Sequence, residues 1–350
     1  MARNVAIDES EEQNMRTPDF NNILKVLNKQ KPDRFTLFEY YMNNNVYDYF
    51  TQGTPFHASN DPVEQGRYLI EAFKNAGYDY AQMTAAKFQF NYGHFETHET
   101  RSLNEGSMIE DEESFEKYEW ADPNKVDFSH LEKLNKYLPD GMKLIVSNNE
   151  SVFGGAMRLL GYDNLCYMLM DDRELVKRVW DEVGSRVLRY NEQLVQYDSV
   201  GAVIVNDDWG FNTQTLISPN DMREFVFPWH KKIVEAIHKA GKPAILHSCG
   251  NLSAVYEDII NDMGYDGKHS YQDNICPVET MYDQYGDRLA IMGGMDVDYL
   301  CRTPEEEITK RARAMLERAA DKGGYALGSG NSIADFVPLK SYLAMIKAIE

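Results

Sequence analysis

Two residues with metal-binding side chains stand two positions apart after a short apolar run. His247 and Cys249 follow residues 244–246, a run that predicts a buried strand. Because alternate residues of an extended chain face the same side, the imidazole and the thiol could face one point in space. Zinc favours such ligands, and a catalytic zinc typically takes three protein ligands and leaves one position open. An isolated His-x-Cys is also compatible with a small buried thiol beside a hydrogen-bonded core histidine.

Eight short apolar segments, alternating with helical patterns, must position these residues. Such alternation predicts an α/β fold, a single (β/α)8 TIM barrel spanning residues 18–350 after a flexible N-terminal segment at 1–17. The connection between strands 2 and 3, residues 84–140, is long enough to be an excursion from the barrel, a lid or a binding loop. It contains an aromatic hairpin pattern at 88–98 and an acidic segment at 105–122, for which a solvated loop is the alternative. The expected strands are 34–39, 78–83, 143–147, 201–205, 244–247, 265–271, 288–292 and 324–327.

Polar residues follow almost every predicted strand. In a TIM barrel the carboxyl ends of the strands meet at one mouth, where the site lies. Any one of these residues could instead cap the helix that follows it, but their convergence predicts a site. The residues are Glu39, Glu150, Asp207, Asp208, His247, Cys249, Gln272, Asp273, Asp296 and Ser329.

The composition excludes several classes of partner. A formal net charge of −20 argues against binding to nucleic acid or to an anionic membrane surface. No stretch approaches the length of a membrane span, and the start of the chain lacks the apolar run of a signal peptide. Four scattered cysteines do not form a disulfide framework, which is typical of a reducing compartment. We therefore expect a cytoplasmic protein.

With these residues placed, the chain resembles the uroporphyrinogen decarboxylase superfamily and, within it, the cobamide-dependent methyltransferases. The decarboxylases carry arginines near the first strand that grip a polycarboxylate substrate, whereas residues 35–45 contain no arginine here. Decarboxylation is therefore the less favoured alternative. The order and spacing of the matching blocks carry the resemblance, and these blocks are 206–210, 217–219, Pro228, 241–243, 247–251, 293–296 and 323–324.

The resemblance implies a zinc site that this sequence only partly reproduces. The methyltransferase branch binds zinc through a His-x-Cys, matched by His247 and Cys249, and through a second cysteine after the last strand. Ser329 occupies the corresponding loop. Because serine is a poor zinc ligand, the third ligand is expected from Glu39, Asp208, Cys276 or the Ser329 loop, and a weakly held or absent metal is the alternative. The missing cysteine also argues against members that methylate coenzyme M and for members that demethylate methylated compounds.

The expected function is transfer of a methyl group from a small methylated substrate, with a methoxylated aromatic as the favoured class, to the Co(I) of a corrinoid. The resemblance implies that the corrinoid would arrive on a partner protein, since nothing in the chain resembles a cobalamin-binding domain. Zinc would act as a Lewis acid, Asp208 or Glu150 as a proton donor, and Asp207 as the acceptor that orients the histidine ligand. The alternatives are a decarboxylase and a non-catalytic barrel that holds a tetrapyrrole or a partner protein.

Overall fold

Seven parallel strands form one sheet in the computed structural model, which describes residues 16–52, 59–93 and 107–350. The strands pair in sequence order, each with the next, which is the arrangement of a TIM-barrel-like fold. All four residues of the fourth strand are buried, as expected for a parallel strand covered on both faces. The strands are β1 Tyr80–Thr84, β2 Lys143–Ser147, β3 Val200–Asn206, β4 Ala244–His247, β5 Gly267–His269, β6 Ala290–Met292 and β7 Tyr325–Ala326.

The predicted first strand at 34–39 is not a strand of this sheet. Leu37 makes a single parallel bridge with Leu327, and the neighbouring hydrogen bonds link Phe38 N to Leu327 O and Leu327 N to Thr36 O. Towards β1 the segment is held by a side chain, because the Tyr80 hydroxyl donates to the Glu39 carbonyl at 2.7 Å. The segment therefore lies where an eighth strand would lie, but the described chain forms seven strands, and the predicted count of eight is not confirmed.

Helices connect the strands and cover the sheet. Residues 152–171 form two helices, because Gly161 stands between them with a positive φ of 74°. The helices are α1 Asn21–Leu27, α2 Asn44–Phe50, α3 Pro62–Asn75, α4 Glu112–Lys117, α5 Ser129–Leu134, α6 Val152–Leu160, α7 Tyr162–Asp171, α8 Arg173–Leu194, α9 Pro219–Asp221, α10 Phe227–Lys239, α11 Val278–Tyr285, α12 Val297–Arg302, α13 Glu305–Ala319 and α14 Leu339–Ile346, with π-helical turns at Met222–Val226 and Asp258–Met263. Among these described helices, none combines the length and the apolar character that a membrane crossing requires.

The connection between β1 and β2 is partly described. Residues 94–106, which include the second half of the predicted aromatic hairpin and the start of the acidic segment, lie outside the described residues, as do residues 1–15 of the predicted N-terminal segment. Helix α4 packs on α8: Arg178 bonds to Glu112 and Glu116 at 2.5–2.6 Å. Its guanidinium also lies 4.3 Å from the centroid of the buried Phe115 ring. This part of the acidic segment is therefore docked on the protein rather than solvated on all sides.

Candidate metal centre

Three side chains that can bind a metal converge at the carboxyl ends of β3 and β4. The ligand atoms of Asp208, His247 and Cys249 all lie within 4.8 Å of one another, and they form the only such group of three or more among the described residues. His247 Nε2 lies 3.8 Å from Cys249 Sγ and 4.0 Å from Asp208 Oδ1. The imidazole is buried, whereas the Asp208 side chain is 57% exposed, so the group faces the mouth with one side accessible to a ligand.

These distances fit a zinc ion after a small contraction. Zn–S bonds of about 2.3 Å and Zn–N or Zn–O bonds of about 2.0–2.1 Å at tetrahedral angles place nitrogen about 3.5 Å from sulfur and about 3.4 Å from oxygen. The observed distances of 3.8 Å and 4.0 Å exceed these by a few tenths of an ångström. One imidazole, one thiol and one carboxylate also form a ligand set that zinc accepts, and three protein ligands leave a fourth position for a substrate atom.

A close approach of two loops brings the carboxylate to the thiol. Gly210 and Gly250 pack backbone to backbone: a Cβ added to Gly250, whose φ is +89°, would lie 2.1 Å from the Gly210 carbonyl oxygen. The adjacent Cys249 N–H donates to Asp208 Oδ1 at 2.8 Å. Glycine at both positions therefore sets the spacing between a ligand on the β3 loop and one on the β4 loop.

The thiol of Cys249 sits among hydrogen-bond donors. Ser270 Oγ donates to Sγ at 3.6 Å and Asn331 Nδ2 at 3.4 Å. Burial and the charge of Asp208 raise the pKa of Cys249 to about 12. A bound metal deprotonates a coordinating thiol, and the two donors would then face a thiolate. Lys268 lies nearby, buried and bonded to the carbonyls of Ser248 and Ser270, with its pKa lowered by burial to about 8.

His247 is fixed by two aromatic neighbours. The Tyr40 ring lies 4.4 Å from the imidazole centroid, and His247 Nδ1 lies 2.8 Å from His269 Nδ1. Burial and the charge of Lys268 lower the pKa of His247 to about 3. The imidazole is therefore neutral at physiological pH, which is the form that binds metals.

A cavity of about 650 Å³ opens at the same mouth. Asn331 lines it and also touches the Cys249 sulfur, so the cavity adjoins the three candidate ligands. Three aspartates and one arginine line it. Asp298 pairs with Arg302 and Asp273 with Arg311, so the lining owes its net negative charge to Asp296. Three aromatic side chains add flat apolar surface. We call it the acidic cavity, and these lining residues are Asp273, Asp296, Asp298, Arg302, Tyr271, Tyr299 and Phe336.

Comparison with known proteins identifies the family. The family model described as uroporphyrinogen decarboxylase (URO-D) matches residues 99–350, well over half of the chain. The chain belongs to the uroporphyrinogen decarboxylase family.

Relatives within this family include both methyltransferases and decarboxylases. The chain is 27% identical over 210 residues to a methylated-thiol–coenzyme M methyltransferase of Methanosarcina mazei, a match covering 60% of this chain and 53% of that protein. It is 29% identical over 129 residues to a uroporphyrinogen decarboxylase of Anaeromyxobacter, covering 37% and 36%. The chain thus spans about half or less of the length of these two relatives. A solved methyltransferase from Methanosarcina mazei superposes with a TM-score of 0.69 at 16% identity, covering 94% of this chain and 97% of that one, and supports the fold.

Ser329, the position at which the resemblance implies a cysteine ligand, is bonded to Glu39 and not to the three candidate ligands. Its hydroxyl donates to Glu39 Oε1 at 2.6 Å and its N–H to Glu39 Oε2 at 3.1 Å. Burial raises the pKa of Glu39 to about 8, and both of its carboxylate oxygens accept hydrogen bonds from Ser329. Neither Glu39 nor Cys276 belongs to the group of ligand atoms that Asp208, His247 and Cys249 form. Of the residues expected as the third ligand, the geometry favours Asp208.

The structure gives two further residues with predicted roles other hydrogen-bond partners. Asp207 was expected to orient the histidine ligand, but its carboxylate accepts the N–H groups of Phe153 and Gly154 at 2.7 and 3.0 Å. It also pairs with buried His230 at 2.9 Å, so it anchors the start of α6.

Glu150 was expected as a proton donor at the mouth. It is buried against Arg158 and accepts the Phe90 N–H at 3.1 Å; burial raises its pKa. Its carboxylate is therefore committed to holding the aromatic segment after β1.

His269, Asn331, Ser270 and Lys268 were missed by sequence reasoning. His269 ends β5 in direct register with His247 on β4. One histidine at the carboxyl end of the predicted strand 244–247 and one near the carboxyl end of its neighbour 265–271 were a usable signal, because the ends of adjacent parallel strands lie side by side. Asn331 gave no such signal, because its approach to Cys249 depends on the path of the loop after β7.

Proposed function

We propose that this protein is a methyltransferase that moves a methyl group from a small methylated compound to the Co(I) of a corrinoid carried by a partner protein. The observation that carries the proposal is the convergence of Asp208, His247 and Cys249 at the mouth of the barrel. The family membership and the similarity to a methyltransferase of Methanosarcina mazei support it. We further propose that residues 18–350 act as one barrel and that the protein works in the cytoplasm.

In this proposal Asp208, His247 and Cys249 hold a zinc ion, which would serve as a Lewis acid for the atom that loses its methyl group. The protein's own groups prepare that position. Ser270 and Asn331 direct donors at the Cys249 sulfur, which would limit the charge that a thiolate places on a metal. We assign Asp208 as the third ligand rather than as a proton donor, because one of its oxygens faces both His247 and Cys249.

The acidic cavity is the proposed substrate site. Its volume of about 650 Å³ lies within the range of small-molecule pockets, about 300–1,000 Å³. Its three aromatic side chains suit a flat ring, and its negative lining disfavours a substrate that carries carboxylates. A neutral methoxylated aromatic compound therefore suits it better than a porphyrinogen with many carboxylates. The corrinoid protein would dock over the mouth.

The test is a methyl-transfer assay with defined cysteine variants. The purified protein, loaded with zinc, is incubated with Co(I) corrinoid and a panel of methoxylated aromatic compounds, and the loss of the Co(I) absorption is followed. We expect methyl transfer to the corrinoid with the wild-type protein. Cys249→Ala should lose both methyl transfer and zinc binding. Cys276→Ala is the matched control, because this partly buried cysteine lies outside the candidate ligand group, and it should retain both properties. Release of carbon dioxide that survives chelation of the metal would contradict the proposal and favour a decarboxylase.

A further inference from the structure

One of the candidate metal ligands, His247, is paired with a second buried histidine, His269. His247 and His269 are register partners on β4 and β5, and their Nδ1 atoms lie 2.8 Å apart. Both rings are buried. A nitrogen–nitrogen distance of this size is a hydrogen bond, so one Nδ1 must carry a proton and the other must be bare.

The second nitrogen of His269 decides which ring donates. His269 Nε2 lies 3.1 Å from the backbone carbonyl oxygen of Ser329. A carbonyl can only accept, so His269 Nε2 carries a proton. In a neutral ring its Nδ1 is then bare and accepts, and the donor in the pair is His247 Nδ1. The remaining nitrogen of His247, Nε2, is thereby left with a free lone pair, and it is the atom that faces Cys249 Sγ and Asp208 Oδ1.

We propose that His269 is a positioning residue that fixes the tautomer of His247 and so presents the Nε2 lone pair to the metal. This inference rests on the proposed metal site and deepens it. Histidine ligands usually donate their second ring N–H to a carboxylate or a carbonyl. Here another imidazole takes that place, and the Ser329 carbonyl in turn fixes the orienting ring.

The surroundings hold this chain of hydrogen bonds in place. Glu39 accepts both the N–H and the hydroxyl of Ser329, which fixes the peptide whose carbonyl faces His269. The Phe38 ring packs edge-on against His269 with centroids 5.3 Å apart. Gly293 leaves room for both partners, because a Cβ there would lie 2.3 Å from Ser329 O and 3.1 Å from His269 Cδ2. Ser329 thus acts through its backbone carbonyl rather than as a metal ligand.

The first test reads the tautomer in the metal-free protein. Nitrogen-15 labelling of the 8 histidines and long-range proton–nitrogen correlation spectra distinguish an Nδ1–H from an Nε2–H ring, and His247→Gln assigns the signal. We expect His247 as the Nδ1–H tautomer, which is the minor form of free histidine, and His269 as the Nε2–H tautomer. A His247 ring protonated at Nε2 would overturn the inference.

The second test measures zinc affinity by competition with a chelator. His269→Phe keeps a ring against Phe38 but removes the acceptor, and we expect a loss of about 10–100-fold, the range found when groups that orient metal ligands are removed. His269→Asn places an amide oxygen near the Nδ1 position and should restore affinity to within a few-fold of the wild type. His238→Gln, on the exposed face of α10, controls for a histidine loss elsewhere. Unchanged affinity in His269→Phe would overturn the inference.

The outcomes separate this inference from the proposed function. If the tautomers and the zinc affinities follow the expectation but no methyl transfer occurs, the positioning role stands and the function fails. If methyl transfer occurs while His269→Phe binds zinc as tightly as the wild type, the function stands and the positioning role fails. The spectra of the wild-type protein keep the inference testable even if His269→Phe does not fold.

Discussion

The contact between Gly210 and Gly250 predicts that the substitution Gly250→Ala will move the candidate metal ligands apart. Gly250→Ala places a Cβ 2.1 Å from the Gly210 carbonyl oxygen, about 1.3 Å short of the 3.4 Å at which ordinary contact begins. The loops that carry Asp208 and Cys249 must separate by roughly this amount. The distance from His247 Nε2 to Asp208 Oδ1 is already 4.0 Å, against about 3.4 Å in a tetrahedral zinc site, so a further shift removes the third ligand.

We expect two measurable effects. The positive φ of +89° at Gly250 costs an alanine about 1–2 kcal/mol, and the overlap adds about 1–3 kcal/mol, so the free energy of unfolding should fall by a few kcal/mol. Zinc affinity should fall by at least about 10–100-fold. Urea unfolding measures the first effect and competition with a chelator the second.

Gly241→Ala is the matched control. Gly241 also has a positive φ, +73°, but a Cβ there would meet nothing within 4 Å. It should lose about 1–2 kcal/mol of stability from backbone strain and keep the zinc affinity of the wild type. If Gly250→Ala binds zinc as tightly as Gly241→Ala, the close approach of the two loops does not set the metal site.

Three further predictions follow from other contacts. Asp207→Asn should lower the free energy of unfolding by about 1–3 kcal/mol for each buried donor it leaves unpaired, His230 among them, while zinc affinity stays unchanged; a loss of affinity at unchanged stability would restore the ligand-orienting role for this residue. The Asp266 carboxylate raises the pKa of His238, so this pair stabilises the fold fully below the unfolded pKa of about 6.5 and loses that contribution as pH rises through the higher folded value. The free energy of unfolding of His238→Gln should be lower than that of the wild type by about 0.2–1 kcal/mol in mild acid and equal to it in alkali. A difference that appears only in alkali would contradict the stabilising role of the His238–Asp266 pair. If the acidic cavity binds the methyl donor, the kcat/KM of a neutral methoxyphenol should exceed that of a methoxybenzoate by a few-fold, about 1 kcal/mol per nearby charge. Asp298→Asn should reduce the ratio of these two kcat/KM values. An unchanged ratio would mean that the substrate binds elsewhere.

Much of the sheet could be predicted because its strands are continuous apolar runs bounded by turns. The run at 143–147 is observed as β2 with the same limits, and the predicted fourth strand at 201–205 lies within β3, Val200–Asn206. The segment at 34–39 has the same apolar character, but whether it forms a ladder depends on backbone partners distant in sequence. It finds one bridge, at Leu327, and this could not be read from local pattern.

The candidate site was predictable as a set of residues but not as a set of roles. Asp207 and Asp208 are neighbours and chemically identical, yet one carboxylate pairs with buried His230 and the other lies beside His247. The direction of each side chain is set by the turn after β3 and by helices packed on the barrel, which are tertiary features. The sequence could place His269 on the strand next to that of His247, but not the direct pairing of the two rings, which depends on the register of β4 and β5.

The two arrangements that shape the metal centre act on different ligands. The contact of Gly210 with Gly250 sets the distance between the Asp208 carboxylate and the Cys249 thiol, whereas His269 sets which nitrogen of His247 is bare. The first depends on loops at the rim and the second on buried strands. Gly250→Ala should therefore weaken zinc binding while leaving the Nδ1–H tautomer of His247 intact, whereas His269→Phe should weaken zinc binding through the loss of that tautomer. Loss of the Nδ1–H tautomer of His247 in Gly250→Ala would contradict this separation. It would mean that the loops at the rim also determine the hydrogen bond between His247 and His269.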